Sequence, residues 1–142
     1  MELVPIGRVA EQLGLAASTL RYYDERGLVS PRARRGGRRM YSADELRRLA
    51  FLKIASSLGL PLDAAAAVLN APGPQWRQAA EEQLAKLEQL IRQAQAAQTF
   101  LTSALGCPAD HPVSECANMI EPLDRLIAGT TVDEIAAEHI RP

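Results

Sequence analysis

The sequence predicts a mainly all-α fold, and three observations lead to this prediction. Alanine, leucine, glutamate, glutamine and arginine, which are good helix formers, are abundant throughout the 142 residues. Only 4% of the residues are aromatic, too few for a sheet-rich core. From Trp76 to Leu105 the sequence contains neither glycine nor proline, so nothing interrupts one long helix there. The chain is therefore expected to consist mainly of helices.

Two short helices joined by a tight turn are predicted near the start of the chain. Apolar residues recur at helical spacing from Ile6 to Leu13, and Gly14 ends this pattern. A second helix follows within "STLRYYDER" and ends at Gly27. This arrangement is a helix-turn-helix, whose second helix fits the major groove of DNA.

The second helix is expected to have two different faces. Because neighbours on a helix lie roughly 100° apart, Tyr22 and Tyr23 cannot share a face. Leu20 and Tyr23 are expected to pack against the core. The other face is polar, aromatic and cationic, and comprises Ser18, Arg21, Tyr22 and Glu25. That face is predicted to meet a partner, unless Arg21 only forms a surface ion pair with an acidic neighbour on the helix.

A basic segment, "LVSPRARRGGRRMYS", follows this helix. Two glycines at its centre permit the tight turn of a hairpin, from which arginines can reach phosphate oxygens. The arginines are Arg32, Arg34, Arg35, Arg38 and Arg39. Directly after it, Ser42 and Glu45 form the capping box of a further helix. The segment is predicted to be a basic wing.

The charge is unevenly distributed, although its net value is −1. Residues 1–58 hold 11 Lys or Arg and 6 Asp or Glu, whereas residues 59–142 hold 5 and 11, so the two parts carry +5 and −6. This asymmetry favours contact with a polyanion at one end of the chain. Two solvated surfaces of opposite sign are the alternative.

These motifs, in this order, resemble the DNA-binding domain of the MerR family of bacterial transcription regulators. The resemblance covers residues 3–70 and rests on Ile6-Gly7-x-Val9-Ala10, on "TLRYYDERGLVSP" and on an Arg-x-Tyr-Ser that ends at Ser42. It implies that the Arg-Tyr-Tyr helix lies in the major groove while the wing grips the DNA backbone. The residues implied to contact DNA are Ser18, Thr19, Arg21, Tyr22, Tyr23, Arg34, Arg35, Arg38, Arg39 and Tyr41.

Two of these positions carry a further expectation. Tyr23 is expected to be shared between the core and the DNA backbone. Arg38 stands where the family usually has a wing tyrosine, which exchanges stacking for charge.

The long helix carries the apolar spacing of a coiled coil. Steps of four and three alternate through Ala80, Leu84, Leu87, Ile91, Ala94, Gln98, Leu101 and Leu105. Such a stripe needs a partner. The resemblance implies an antiparallel homodimer in which the same helix of a second subunit covers it; packing against the chain's own C-terminal helices is the alternative.

The loop after this helix holds Cys107, His111 and Cys116. Two thiols and an imidazole can bind a divalent ion such as Zn²⁺, although Zn²⁺ needs a fourth donor. Cys116 precedes a predicted helix, whose terminal N–H groups favour its thiolate. The eight residues between the cysteines resemble the loop of MerR-type sensors of divalent ions. A thiol redox switch and a loop that binds nothing are the alternatives.

The sequence thus predicts a winged helix-turn-helix at residues 1–70, a dimerisation helix at 75–105 and an effector loop with small helices at 106–142. The predicted function is a regulator that binds double-stranded promoter DNA as a homodimer through the 76–105 helix and responds to an effector. The resemblance adds RNA polymerase as a partner and promoter distortion as the mechanism.

Other classes of protein are weighed against this prediction. The rival is a coiled-coil interaction adaptor that does not bind DNA. An enzyme is not expected, because both cysteines and both histidines lie after residue 106 and no nucleophile–base pair is evident. No apolar run suits a signal peptide or a membrane span, so a cytoplasmic protein is expected.

Overall fold

Helices make up most of the computed structural model, which describes residues 2–139 and, of His139, only the backbone. The end of the predicted effector segment, residues 140–142, lies outside this described part. The N-terminal elements are β1 (Val4–Pro5), α1 (Ile6–Leu13), α2 (Ala17–Glu25), β2 (Ala33–Arg35), β3 (Arg38–Tyr41), α3 (Ala43–Ser57) and α4 (Leu62–Asn70). A 3₁₀ turn (Gly73–Gln75) leads to α5 (Trp76–Leu105), α6 (Pro112–Glu115), α7 (Ala117–Ile127) and α8 (Val132–His139). The prediction of a mainly all-α fold is confirmed.

The wing is a hairpin of β2 and β3 with a two-residue turn. Gly36 and Gly37 have φ of +56° and +78°, which side chains with a Cβ rarely adopt. Both positive angles fit the type I′ turn that matches the twist of hairpin strands. The sequence did not reveal β1, which pairs antiparallel with β3 and completes a three-stranded sheet of order β1-β3-β2 in the described chain.

One hydrophobic core holds α1, α2, α3 and the sheet together. Its fully buried side chains are Val9, Leu20, Tyr41, Leu49 and Leu52. At the start of α3, the Ser42 N–H donates to Glu45 Oε2 at 3.1 Å, and the reciprocal capping bond is also present. The predicted capping box therefore forms, and it sets the point at which α3 leaves the wing.

The long helix α5 has the bounds that the sequence predicts. None of its 30 described residues is buried. The most exposed apolar side chains of the predicted stripe are Leu84, Ile91, Leu101 and Leu105. The described part of the chain divides into two compact units between Leu84 and Ala85, a boundary that falls inside α5. The three predicted domains stay a prediction.

The second unit contains the rest of α5 and the helices α6, α7 and α8. Thr131 and Glu134 form the capping box of α8, since the Glu134 N–H donates to Thr131 Oγ1 at 3.2 Å. Arg125 of α7 donates to Glu138 of α8 at 2.9 Å and joins the two helices. None of the helices within residues 2–139 combines the length and apolar character needed to span a bilayer.

Candidate nucleic-acid interface and cysteine pair

Helix α2 presents the two faces expected from its sequence. Leu20 and Tyr23 are buried, whereas Tyr22 is 45% exposed. Ser18, Arg21 and Glu25 are exposed on the same side as Tyr22, and Thr19 is half-buried. The Arg26 guanidinium lies 5.7 Å from the centre of the Tyr22 ring, within cation–π range. The exposed face of α2 therefore combines the Arg21 guanidinium with the Tyr22 ring.

Asp24 of α2 holds the wing. Arg39 Nε donates to Asp24 Oδ2 at 2.8 Å, and Arg34 Nη2 donates to the same oxygen at 3.3 Å. The hydrogen bond to Asp24 raises the pKa of Arg39. Arg21 forms no ion pair with described residues, so the alternative of an Arg21 surface ion pair is not realised.

A polar cleft of about 500 Å³ opens between α1, α2 and the wing tip. Its cationic residues are Arg8, Arg21, Arg38 and Arg39. The start of α1 also lines it, and no side chain caps the N–H groups there. Arginine forks together with free helix N–H groups are suited to bind phosphate oxygens.

Arg8 is a candidate DNA-binding residue that was not predicted from the sequence. The signal is a basic residue in the first turn of α1, where no acidic residue is present. The helix dipole does not favour a cation at that end, and Arg8 lines the cleft, which makes it a candidate to bind an external anion.

Tyr41 does not lie at the surface, and its predicted DNA contact is wrong. Its side chain is 0% exposed and belongs to the core, and its hydroxyl has no hydrogen-bond partner among the described residues. Burial raises the pKa of Tyr41, and the charge on Asp24 adds to this effect. Tyr23 also lies in the core, where burial raises its pKa. Arg34, Arg35 and Arg38 are exposed, while Arg39 is mostly covered.

Cys107 and Cys116 are free, partly exposed thiols that form a pair. The hydrogen bond from Cys107 lowers the pKa of Cys116, and the backbone N–H groups of Met119 and Asn118 lower it further. The same thiol–thiol bond raises the pKa of Cys107. Cys116 is the N-cap of α7, so the predicted thiolate-favouring position is present.

The predicted three-residue metal site is not assembled in the described part of the chain. No group of three His, Cys, Asp or Glu side chains able to hold a metal ion occurs there. His111 is exposed and is the N-cap of α6, with its carbonyl accepting the Glu115 N–H at 2.9 Å. The backbone of His111 is therefore held by α6, without any contribution from a metal site.

Comparison with known proteins decides the family. Residues 4–72 match the family described as "MerR HTH family regulatory protein", and residues 46–104 match "MerR, DNA binding". A SoxR homolog of Chromobacterium violaceum, named as an HTH-type transcriptional activator, is 32% identical over 111 residues. The match covers 73% of this chain and 75% of that protein. The chain belongs to the MerR family of transcriptional regulators.

Further matches agree with this MerR-family assignment. The HTH-type transcriptional regulator CueR of Escherichia coli O6:H1 is 32% identical over 113 residues, covering 74% of this chain and 84% of that protein. The crystal structure of a MerR-family transcriptional regulator from Bacillus cereus matches the fold with a TM-score of 0.51 at 20% identity. The match covers 89% of this chain and 98% of the Bacillus cereus chain. The mainly helical architecture is thus that of the family.

Proposed function

We propose that this MerR-type regulator binds promoter DNA as a homodimer, with α2 in the major groove and the wing on the phosphate backbone. The observation that carries the proposal is the cleft in which Arg21 of α2 lies beside Arg8 and Arg38. Cationic side chains from three elements thus converge on one surface, as a contact with a polyanion requires.

The contacts divide into two kinds. Arg21 lies on the exposed face of α2, where a bidentate arginine can read the acceptor edge of a guanine. Arg35 and Arg38 flank the wing tip and are exposed, so they suit phosphates, which carry no sequence information. Arg39 is committed to Asp24 and positions the hairpin.

The dimer forms through the apolar stripe of α5. Leu84, Leu87 and Ile91 are exposed in the single chain, at the spacing of a coiled-coil seam. The C-terminal helices face Ala96, Phe100 and neighbouring residues across a cavity, on a different face of α5, so they leave the stripe available to a second copy. Bound as a dimer, the regulator distorts the promoter so that RNA polymerase can engage it.

The effector acts at the Cys107–Cys116 pair, and a soft metal ion suits this donor set. The two sulfurs supply thiolate ligands of the kind that soft ions prefer, and Cys116 has the lower pKa of the two. A Zn²⁺ ion needs four donors, so His111 and a water or a residue of a second subunit would complete its site.

A thiol redox switch is the second candidate. The interaction between the two thiols, which raises the pKa of Cys107 and lowers that of Cys116, favours it. The Cys116 thiolate attacks the terminal oxygen of an organic hydroperoxide, the O–O bond breaks, and an alcohol leaves after taking a proton. The Cys107 thiol then attacks the resulting sulfenic acid, and the disulfide forms with loss of water. Two electrons pass from the thiols to the peroxide.

A mobility shift on the chain's own promoter tests the DNA contacts. Arg21→Ala should weaken binding by an amount on the order of 1–3 kcal/mol and reduce sequence discrimination. Arg38→Ala should weaken all sequences alike and flatten the salt slope by roughly 1. The control is Arg47→Ala, an exposed arginine of α3 that pairs with its neighbour Asp44. Full binding by folded Arg21→Ala would contradict the groove assignment. No mobility shift with the wild type would favour the adaptor.

A transcription assay separates the effectors. Cys107→Ser and Cys116→Ser should each abolish the response and leave operator affinity nearly unchanged. A metal response disappears with a chelator, whereas a redox response to peroxide or diamide persists. If the double variant responds as the wild type does, the thiol pair is not the effector site.

A further inference from the structure

A cavity of about 360 Å³ lies within the second unit, between the C-terminal part of α5 and the helices α7 and α8. Four residues of α5, five of α7 and three of α8 line it. Its volume is at the low end of the roughly 300–1,000 Å³ of small-molecule sites. The three helices thus enclose a space large enough for a compact ligand.

The lining is apolar and contains no ionisable side chain. Phe100, Met119 and Leu123 represent the three kinds of contact it offers: aromatic, thioether and aliphatic. A charged ligand would lose its hydration without an opposite charge to replace it, whereas an apolar ligand gains from burial. The chemistry of the lining therefore selects uncharged, largely apolar molecules.

Neutral hydrogen-bonding groups accompany this apolar lining. Thr99 Oγ1 donates to the Gln95 carbonyl at 3.1 Å and is occupied within α5. The side chains of Ser103 and Asn118 form no hydrogen bond with the residues that the structure describes, and both line the cavity. They can bond a single neutral polar group of a ligand.

The cavity is not the face that a second subunit would cover. At 100° per residue, Ala96, Phe100 and Ser103 lie on the side of α5 roughly opposite the stripe residues Ala94 and Leu101. Phe100 and Val132 are more than half exposed, so the cavity has an apolar mouth through which a ligand can enter. Its occupant is therefore a small molecule rather than the partner's helix.

We propose that this cavity binds an uncharged apolar small molecule and is an effector site separate from the cysteine pair. The two sites share the first turn of α7. The Met119 N–H donates to the Cys116 carbonyl at 3.0 Å, while Met119 and its neighbour Asn118 line the cavity. A ligand in the cavity therefore contacts both α5 and the turn of α7 that follows Cys116, and it can change the position of one relative to the other.

Two fluorescent probes of the same skeleton test the proposal on the full-length, reduced, metal-free protein. N-phenyl-1-naphthylamine is uncharged, and its sulfonated analogue 8-anilinonaphthalene-1-sulfonate is an anion. We expect saturable binding of the uncharged probe, one per protomer, at least tenfold tighter than that of the anion. Equal affinities, or no saturable binding of the uncharged probe, would overturn the proposal.

Variants that fill the cavity locate the bound probe. Ala96→Phe on α5 and Ala136→Phe on α8 should each weaken binding of the uncharged probe at least tenfold. Ala137→Phe, an exposed neighbour on α8, is the matched control and should bind as the wild type does. Unchanged binding by both filled variants would place the probe elsewhere and overturn the proposal. If a filled variant loses its helical circular dichroism, it is unfolded and its binding is not compared. The proposal is then tested by the relative affinities of the two probes for the wild type. Arg21→Ala should bind the probe as the wild type does. Failure of the proposed DNA contacts can therefore be distinguished from failure of the proposed cavity site.

Discussion

Asp24 of α2 accepts a hydrogen bond at 2.8 Å from Arg39, which lies 15 residues later on the wing. Both side chains are largely covered, at 15% and 19% exposure. The pair therefore connects α2, which is proposed to enter the groove, to the wing, which is proposed to grip the backbone.

The first prediction removes this connection. Asp24→Ala should lower the urea midpoint of unfolding, because Arg39 loses the acceptor of its charged group. Operator affinity should fall roughly tenfold for all sequences alike, since the wing contacts carry no base information. Glu25→Ala, an exposed carboxylate one position further on, is the control for the lost negative charge. If the two variants behave alike in both measurements, Asp24 does not position the wing.

The second prediction tests the dimer seam. Leu87→Asp places a charge in the middle of the stripe, where burial without a partner costs several kcal/mol. The variant should sediment as a monomer or aggregate, and it should lose operator binding although the residues proposed to contact DNA are intact. Gln89→Asp adds the same charge on the opposite side of α5 and should remain a dimer. Dimeric Leu87→Asp would show that the seam lies elsewhere.

The third prediction concerns the capping box of α3 and its dependence on pH. Burial alone would raise the pKa of Glu45, but hydrogen bonds from the Ser42 hydroxyl and from backbone N–H groups outweigh burial and lower it. A lowered folded-state pKa means that the carboxylate stabilises the fold above its unfolded pKa and loses this effect as pH falls through the folded value. Glu45→Gln keeps an acceptor for the Ser42 N–H but removes the charge, so it should cost up to about 1 kcal/mol at pH 7.

Urea unfolding at several pH values measures this cost. The difference between Glu45→Gln and the wild type should shrink as the solution is acidified through the acid range of carboxyl groups. Asp44→Asn, which alters the exposed neighbouring carboxylate, should change the free energy of unfolding little at any pH. A cost that stays constant with pH would contradict the role of the ionised carboxylate.

The fourth prediction concerns the thiols in reduced, metal-free protein. Because the pKa of Cys116 is lowered and that of Cys107 raised, iodoacetamide should alkylate Cys116 first at neutral pH. Cys107→Ala removes the first cause of the lowering, so the pH midpoint of Cys116 alkylation should move upward. Peptide mass spectrometry across a pH series reads both effects. Equal alkylation of the two thiols, or an unmoved midpoint, would contradict the hydrogen-bonded pair.

Local signals in the sequence were enough to predict the helices and the wing. The Gly36–Gly37 turn and the Ser42–Glu45 box are formed by residues close in sequence, and helical periodicity separated the faces of α2. The bounds of α5 followed from the lack of helix breakers between Trp76 and Leu105.

The remaining features depend on contacts between distant residues. The two-residue strand β1 has no pattern of its own and exists because it pairs with β3. Tyr41 is buried because β1, α1 and α3 all pack around the end of β3. Both Met40 and Tyr41 are therefore buried, and the alternation of buried and exposed side chains along a strand does not hold there. The Asp24–Arg39 pair spans 15 positions, and the cavity arises where three helices meet. No local sequence rule reaches these distances.

The residues proposed to contact DNA and the residues of the α5 stripe belong to separate stretches of the chain, and this separation has a genetic consequence under the proposed homodimer. A cell that makes a variant altered only at Arg21 still makes chains able to pair with wild-type chains, and each mixed dimer has one defective reading head. Such an allele is expected to be dominant-negative. An allele altered at Leu87 yields chains that cannot pair, so the wild-type copies assemble undisturbed and the allele is expected to be recessive.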